Sequence, residues 1–286
     1  MALTEEQLLA HLEAETIPCN ELLEQFSALC ADGKDVRACE WAELLKDTLI
    51  DRKILDDAVA TYEWIALKNE TSPAIAQKEL LHILSTSRKE QKFIAPAFEK
   101  ASSIEEAFLR LNHLRAMKKG MLCYNSTWGF GIVARVDAFY QKVEIEFEKK
   151  GDHDFAFSYA ADSLEVLTDE HLLAVRHNTP DEFARLLKED PAEIIRMALR
   201  SYGNLPIQLI QEHFVPDLLA TEAEWKKFWA AARRDLKKDP MINIPTKRSE
   251  PVRLRKKALA YDEEWFAILK ANTDIDSLFK KLEEIQ

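Results

Sequence analysis

Residues 120–133, Gly-Met-Leu-Cys-Tyr-Asn-Ser-Thr-Trp-Gly-Phe-Gly-Ile-Val, begin the one stretch of this 286-residue chain whose pattern is not helical. The stretch extends to residue 167 and holds four of the six glycines. Residues 142–148 alternate apolar and polar side chains, which places one face of a β-strand on a core. An aromatic between two glycines, as at Phe130, is typical of a tight bend with positive φ or close backbone approach. These features predict a small, strongly bent β-barrel that serves as a recognition module.

Helical patterns fill both flanks, so the predicted fold is mainly α with an inserted small β-barrel. Three domains are predicted: stacked antiparallel helices at 1–117, the barrel at 118–167 and a second helical domain at 168–286. Capping boxes are predicted at Thr4 and Thr221, and prolines mark other helix starts. The main predicted helices span residues 38–48, 53–68, 73–85, 90–100, 104–117, 206–214, 221–238, 253–270 and 274–285.

Composition indicates an ordinary soluble protein, with 31% charged and 47% apolar residues. No run approaches the roughly 20 apolar residues that a membrane span needs. The N-terminus has no signal-peptide pattern, and the four cysteines form no Cys-x-x-Cys pair. We therefore predict reduced core thiols and a cytoplasmic location, without a membrane partner.

The net charge of −11 conceals a basic segment at residues 225–257. This segment has twelve Lys and Arg residues and three acids, so it carries +9 while the remainder carries −20. Such asymmetry indicates a polyanionic partner, either nucleic-acid phosphates or an acidic protein surface, and the sequence leaves both open. The predicted contact residues are Arg233, Arg234, Lys237, Lys238, Lys247, Arg248, Arg253, Arg255, Lys256 and Lys257.

Catalytic and metal-binding patterns are weak. His153 lies between Asp152 and Asp154, but adjacent side chains point in opposite directions and would not converge, so a solvated turn is the favoured interpretation. His171 and His177 are six residues apart and share no helix face for a metal. No phosphate-binding loop, nucleophile elbow or zinc-protease motif is present. We predict no enzyme activity, no metal and no cofactor.

The barrel segment is rich in aromatic residues for its size. Two interpretations stay open: packing around the glycine bend, or exposure next to a free strand edge, where a partner adds by β-augmentation. Aromatics with polar tips are favoured interface anchors. The candidate contact residues are Trp128, Phe130, Phe139, Tyr140 and Tyr159.

Several blocks of sequence resemble a known family. Residues 125–133, Asn-Ser-Thr-Trp-Gly-Phe-Gly-Ile-Val, resemble the Trp-Gly-x-Gly-x-Val signature of a small Tudor-like barrel, also found in CarD-like proteins. This barrel occurs in the N-terminal extensions of long Gre-type transcription elongation factors. The resemblance covers about 115–245, and 1–115 only in helical character. Its further blocks lie at 146–151, 159–164, 171–174, 222–229, 231–233 and 236–242.

The resemblance implies a Tudor/SH3-like barrel, association with RNA polymerase and a role in transcription elongation. It does not imply transcript cleavage, which in Gre factors uses an acidic tip on a long coiled coil that we do not find here. Either the chain is the N-terminal part of a longer protein or it is a stand-alone relative. We predict a non-enzymatic module that binds RNA polymerase. The alternatives are a DNA- or RNA-binding protein that uses the basic segment, and a protein-interaction scaffold.

Overall fold

The computed structural model describes residues 3–215, 218–219, 221–245, 247 and 249–255. These residues form thirteen α-helices and eight short β-strands, so the predicted mainly helical character is confirmed. The chain divides into two compact units, Met1–Val166 and Leu167–Gln286.

Seven helices open the first unit; the first packs on the third, and the others pack mainly on their neighbours in sequence. Their starts follow local signals: the predicted capping box forms between Thr4 and Gln7, and the Ser103 hydroxyl accepts the Glu106 N–H. The five helices predicted between residues 38 and 117 are confirmed, with ends shifted by up to three residues. The antiparallel stacking of these helices stays a prediction. The helices are α1 (Glu5–Glu13), α2 (Cys19–Ala31), α3 (Asp35–Asp51), α4 (Leu55–Lys68), α5 (Pro73–Ile83), α6 (Arg88–Phe98) and α7 (Ile104–Ala116).

A five-stranded antiparallel sheet follows, in the order β4-β3-β2-β1-β5. A short helix, α8 (Phe157–Ser163), connects its fourth and fifth strands. Strands β4 and β5 are the edges of this sheet, and no ladder joins them among the described residues, so the sheet is open and a closed barrel is not confirmed. The strands are β1 (Leu122–Asn125), β2 (Gly129–Asp137), β3 (Lys142–Phe147), β4 (Gly151–Ala156) and β5 (Glu165–Val166).

Two glycines explain the bend that the sequence predicts. Gly129 has φ +83°, a left-handed conformation that side chains disfavour. Gly131 instead sits against β3: a Cβ there would lie 2.8 Å from Ile145 Cγ2 and 2.8 Å from Phe147 Cδ1. One glycine therefore supplies the turn, and the other allows β2 to approach the buried side chains of β3.

The sheet and the preceding helices share one hydrophobic core. The rings of Phe93 on α6 and Phe157 on α8 lie 4.9 Å apart. The buried Arg110 guanidinium, on α7, donates to the Pro96 and Ser158 carbonyls and pairs with Asp162 at 2.5 Å. The core is thus continuous across residue 117, where the sequence predicts a domain boundary, and that boundary stays a prediction.

The described residues of the second unit form five helices and a three-stranded sheet in the order β6-β8-β7. Its core centres on Phe214, Trp225 and Phe228, whose rings are in mutual contact. The predicted capping box at Thr221 and Glu224 is confirmed. Its elements are α9 (Leu172–Asn178), α10 (Pro180–Glu189), α11 (Pro191–Tyr202), β6 (Leu205–Pro206), α12 (Ile207–Phe214), α13 (Glu222–Leu236), β7 (Ile242–Asn243) and β8 (Pro251–Leu254).

The prediction of a helix from residue 253 is wrong at its start, because Arg253 and Leu254 belong to strand β8. Val252 is fully buried while Arg253 is exposed, which is the two-residue period of a strand and not a helical stripe. Pro251 occupies the first position of the strand, where a missing N–H is tolerated. The remainder of this predicted helix, and the one at 274–285, lie outside the described residues.

Candidate partner-binding surfaces

A row of aromatic side chains lies along the β4 edge of the first unit's sheet, on the side that faces the core. Ile145 and Val143 on β3 pair with His153 and Phe155 on β4, so the latter two project to the core-facing side. The Trp128 ring lies 3.6 Å from the His153 ring, centroid to centroid, and the Tyr159 ring stacks on Phe155 at 5.1 Å. We call Trp128, His153, Phe155 and Tyr159 the aromatic row.

Trp128 and Phe130 occupy different environments. Phe130 is only 7% exposed, and its role as a contact residue stays a prediction. Trp128 is half-buried, with the Lys150 ammonium 5.2 Å from its ring centre. The buried Asn125 side chain fixes the Trp128 turn, because its Oδ1 accepts the Thr127 and Trp128 N–H groups.

The β2–β3 hairpin presents the most exposed aromatics of the first unit. Phe139 is 80% and Tyr140 70% exposed, and their rings meet edge to face at 4.9 Å. Asp137 Oδ1 accepts the N–H groups of both residues at 3.0 Å. Gln141 adopts φ 53°, and its Nε2 donates to the Lys92 carbonyl on α6. The backbone of this turn is therefore fixed by hydrogen bonds, although both rings are exposed. We call Phe139 and Tyr140 the aromatic tip.

Strand β4 is an edge of the sheet, and it carries exposed carboxylates at Asp152 and Asp154. His153 belongs to this strand, so the predicted solvated turn is wrong. The histidine packs on Trp128, and the two flanking carboxylates lie on the opposite face, where Asp154 pairs with Lys142 at 3.4 Å. The three side chains thus do not converge, as the sequence predicts. The two-residue spacing of His153 and Phe155 was the available signal that the histidine joins the aromatics.

The basic segment is distributed over α13, β8 and the loop between them. Arg233 and Arg234 on α13 and Lys237 and Lys238 just after it are exposed, and Arg234 contacts Asp235 at 3.4 Å. Farther along, Lys247 contacts Glu250 at 3.8 Å, Arg253 is exposed, and the half-buried Arg255 donates to the Pro240 carbonyl. Arg248, Lys256 and Lys257 lie outside the described residues. Among the described residues, four of the predicted contact cations thus lie at the C-terminal end of α13 or just after it.

The cysteines and two buried histidines of the described part of the chain lie in structural environments. All four cysteines are free thiols, Cys19 and Cys123 are buried, and burial raises the pKa of Cys123 to about 12. Burial also lowers the pKa of His113 and of His171. No group of three His, Cys, Asp or Glu side chains suited to a metal ion occurs in the residues that the structure covers. Within the same residues, no helix is both long and apolar enough to cross a membrane.

Part of the second unit is similar to a known domain family. The family described as the GRAD helix-turn-helix domain matches residues 173–259, the region of α9 to α13 and the basic segment. No solved structure matches the chain.

Three curated relatives carry the name transcription elongation factor GreA. The chain is 35% identical to the Chlamydia pneumoniae protein over 144 residues, which is 50% of this chain and 20% of the relative. It is 28% identical to the Chlamydia trachomatis protein over 168 residues (58% and 23%). It is also 28% identical to the Borreliella burgdorferi protein over 210 residues (70% and 23%). The chain thus spans less than a quarter of these relatives. Together these matches confirm the resemblance to the N-terminal extension region of long Gre-type factors.

Proposed function

We propose that this chain is a non-enzymatic, transcription elongation factor-like module that binds RNA polymerase through the sheet of its first unit. The observation that carries the proposal is the aromatic tip, because Phe139 and Tyr140 are exposed yet fixed by Asp137. A solvent-exposed aromatic pair adds little to folding, whereas rigid aromatics are preferred anchors of protein interfaces. The similarity to proteins named GreA supports RNA polymerase as the partner.

Strand β4 offers a second element of the same docking surface. Its outer edge has no further strand partner among the described residues, so an extended segment of the partner can add to it by β-augmentation. Tyr159, 46% exposed, and Trp128 lie beside this edge in the aromatic row. The proposal includes a Tudor/SH3-like relationship for the sheet, supported by its five antiparallel strands and the short helix before the last.

The scaffold alternative predicts buried Trp128 and Phe130 together with covered sheet edges. Phe130 meets that expectation, whereas Trp128 is half-buried and β4 remains an edge. The longest described helix has 17 residues, so no long coiled coil of the cleavage-factor type occurs among the described residues. The exposure of Trp128 and the free edge of β4 among the described residues support docking over a purely structural sheet.

A binding measurement with core RNA polymerase tests the proposal. We expect the double substitution Phe139→Ala/Tyr140→Ala to weaken binding by about 30-fold, the effect of about 2 kcal/mol at an interface hot spot. The matched control is Val36→Ala/Leu109→Ala, which removes two equally exposed apolar side chains, 75% and 71%, from the same unit. Equal affinities of both double variants, or no binding of the parent chain, would refute the proposal. Tyr159→Ala and Trp128→Ala map the surface further.

A second candidate function is nucleic-acid binding by the basic segment, and the helix-turn-helix match favours it. Lys and Arg contacts to phosphates release counterions, so such binding weakens steeply with salt. We expect Arg233→Glu, Lys237→Glu and Arg253→Glu each to lower the affinity for bare DNA or RNA and to reduce its salt dependence. Salt-independent binding, or none, would contradict this candidate while leaving polymerase docking untouched.

A further inference from the structure

A hollow of about 220 Å³ lies between α12 and α13 in the second unit. Its walls are mainly apolar, but amide and ammonium groups stand at its rim. The lining residues are Ile207, Gln208 and Gln211 from α12 and Trp225, Lys226 and Trp229 from α13. All six belong to well-defined helices, so the hollow is a preformed feature of this unit.

One wall of the hollow is a fixed aromatic plane. The rings of Trp225 and Trp229 stack at 5.7 Å with an interplanar angle of 15°. Trp225 is buried and is itself held by Phe214 and Phe228. Trp229 is half-exposed. Its orientation is therefore set from below by a buried ring, while part of its surface remains accessible to a ligand.

The flank of α13 that carries Trp229 also carries the exposed cations Lys226 and Arg233, and a third exposed cation, Lys237, is the C-cap residue of the helix. They stand three residues before, four after and eight after Trp229, spacings that bring side chains onto one side of a helix. None of the three forms an ion pair with a described residue. We call them the cationic row. A second trio follows one residue later in each case: Lys227 and Arg234 on the helix and Lys238 just beyond its C-cap.

We infer that this hollow binds an unpaired base of a single-stranded nucleic acid. The base would stack on Trp229, its polar edge would meet the amides of Gln208 and Gln211, and the adjoining phosphates would contact the cationic row. Stacking on aromatics beside a basic track is the general mode of single-strand recognition. In a duplex the bases are already stacked and paired, so the hollow selects single strands.

Nearby acidic side chains also determine the path of the bound nucleic-acid strand along α13. Glu212 and Glu222 line an adjoining hollow near the start of this helix, and they repel phosphates. The strand therefore runs from the hollow towards the C-terminal end of α13, past Arg233 and Lys237. This inference rests on the nucleic-acid candidate and is independent of polymerase docking by the first unit.

Fluorescence anisotropy with three labelled probes tests the inference: a short single-stranded RNA, the same strand annealed to its complement, and an abasic strand of equal length. We expect Trp229→Ala to weaken binding of the single strand by roughly 5- to 150-fold, the range for one stacked base, and Trp229→Phe to restore most of it. The abasic strand, which offers phosphates without bases, should be insensitive to Trp229→Ala. Gln208→Glu, on an exposed wall residue, should weaken single-strand binding without changing the melting temperature.

Two triple variants separate the cationic row from charge in general. The two variants, Lys226→Ala/Arg233→Ala/Lys237→Ala and Lys227→Ala/Arg234→Ala/Lys238→Ala, remove the same charge from α13 and the residues just after it. We expect the first to reduce the slope of log affinity against log salt by about 2, since each single-strand phosphate contact contributes about 0.7, and the second to change it by less than half as much. Equal effects of the two triple variants on the salt dependence would refute the proposed phosphate contacts of the cationic row.

The remaining outcomes are also decisive. Equal binding of all three probes, unaffected by Trp229→Ala, would overturn the base site but leave the nucleic-acid candidate standing. No binding of any probe would refute both. If an acidic peptide with one aromatic residue bound through Trp229 more tightly than the single strand, the hollow would be a peptide site and the inference would be wrong.

Discussion

Replacing Gly131 by alanine tests whether the close approach of β2 to β3 governs the fold of the first unit. The added Cβ would lie 2.8 Å from Ile145 Cγ2, 2.8 Å from Phe147 Cδ1 and 3.1 Å from the Glu146 carbonyl oxygen. Optimal carbon–carbon contacts are about 3.5–4.0 Å, so both side chains must move by about 1 Å. Ile145 and Phe147 are 0% and 2% exposed, and a close-packed core leaves them no free space.

The expected loss follows from two opposing effects. Overpacking of a core costs about 1–3 kcal/mol, and the reduced freedom of the unfolded chain returns about 0.4–1 kcal/mol. We therefore expect Gly131→Ala to lower the free energy of unfolding by about 1–2 kcal/mol, measured by urea denaturation. Gly129→Ala should lose a similar amount for a different reason, because its φ of +83° strains any side chain while nothing lies within 4 Å of the new Cβ.

A double-mutant cycle distinguishes the two causes. Ile145→Ala removes Cγ2 and opens a cavity that the alanine at 131 can enter, so the combined loss should be smaller than the sum by at least about 1 kcal/mol. The same cycle with Gly129→Ala should be additive within about 0.5 kcal/mol. Additivity in both cycles would refute the close-approach explanation for Gly131.

Two further predictions concern buried polar groups. Arg110→Ala should lower the free energy of unfolding by about 2–3 kcal/mol, measured by urea denaturation, because it removes the guanidinium that donates to the Pro96 and Ser158 carbonyls. Asp162→Asn should lower it less, because the Asp162 side chain is 41% exposed. Equal losses for the two variants would contradict this ranking. Burial lowers the pKa of His171 below that of the unfolded chain, about 6.5, so the unfolded state binds the extra proton and stability should fall as the pH drops below about 6.5. His171→Asn keeps an acceptor for the Leu173 N–H and should flatten this dependence in melting curves recorded against pH, and an unchanged slope would show that His171 is not the group responsible.

Local signals made much of the fold predictable. Capping boxes at Thr4 and Thr221 and prolines at helix starts act within one turn, and the helices they mark were confirmed. The strand 142–147 was predicted from its alternation, which persists whatever its neighbours are. These features depend on residues two to four positions apart, and a sequence displays such spacings directly.

Features set by strand register were not predictable in the same way. Phe130 is buried although its pairing with Tyr124 places it on the face opposite Gly131 and Phe147, and Trp128, just before β2, is half-buried. The pairing of β2 with β3 joins residues far apart in the chain, and it includes an irregularity between Val133 and Arg135. Strand β8, which contains Arg253, is only four residues long, so its two-residue period was too short to stand out in a segment rich in cations. The hollow beside Trp229 likewise requires two helices to meet.

The aromatic tip and the aromatic row differ in how they connect stability with binding. Asp137 holds the tip through backbone N–H groups, so the rings of Phe139 and Tyr140 contribute little to the turn itself. Phe139→Ala/Tyr140→Ala should therefore leave the melting temperature nearly unchanged, whereas Trp128→Ala removes a ring packed on His153 and Phe147 and should lower it. Two exposed rings that the fold does not require are best explained by selection for a contact outside the chain. If the tip variant melted well below the parent, that argument would fail, because the rings would then serve the fold.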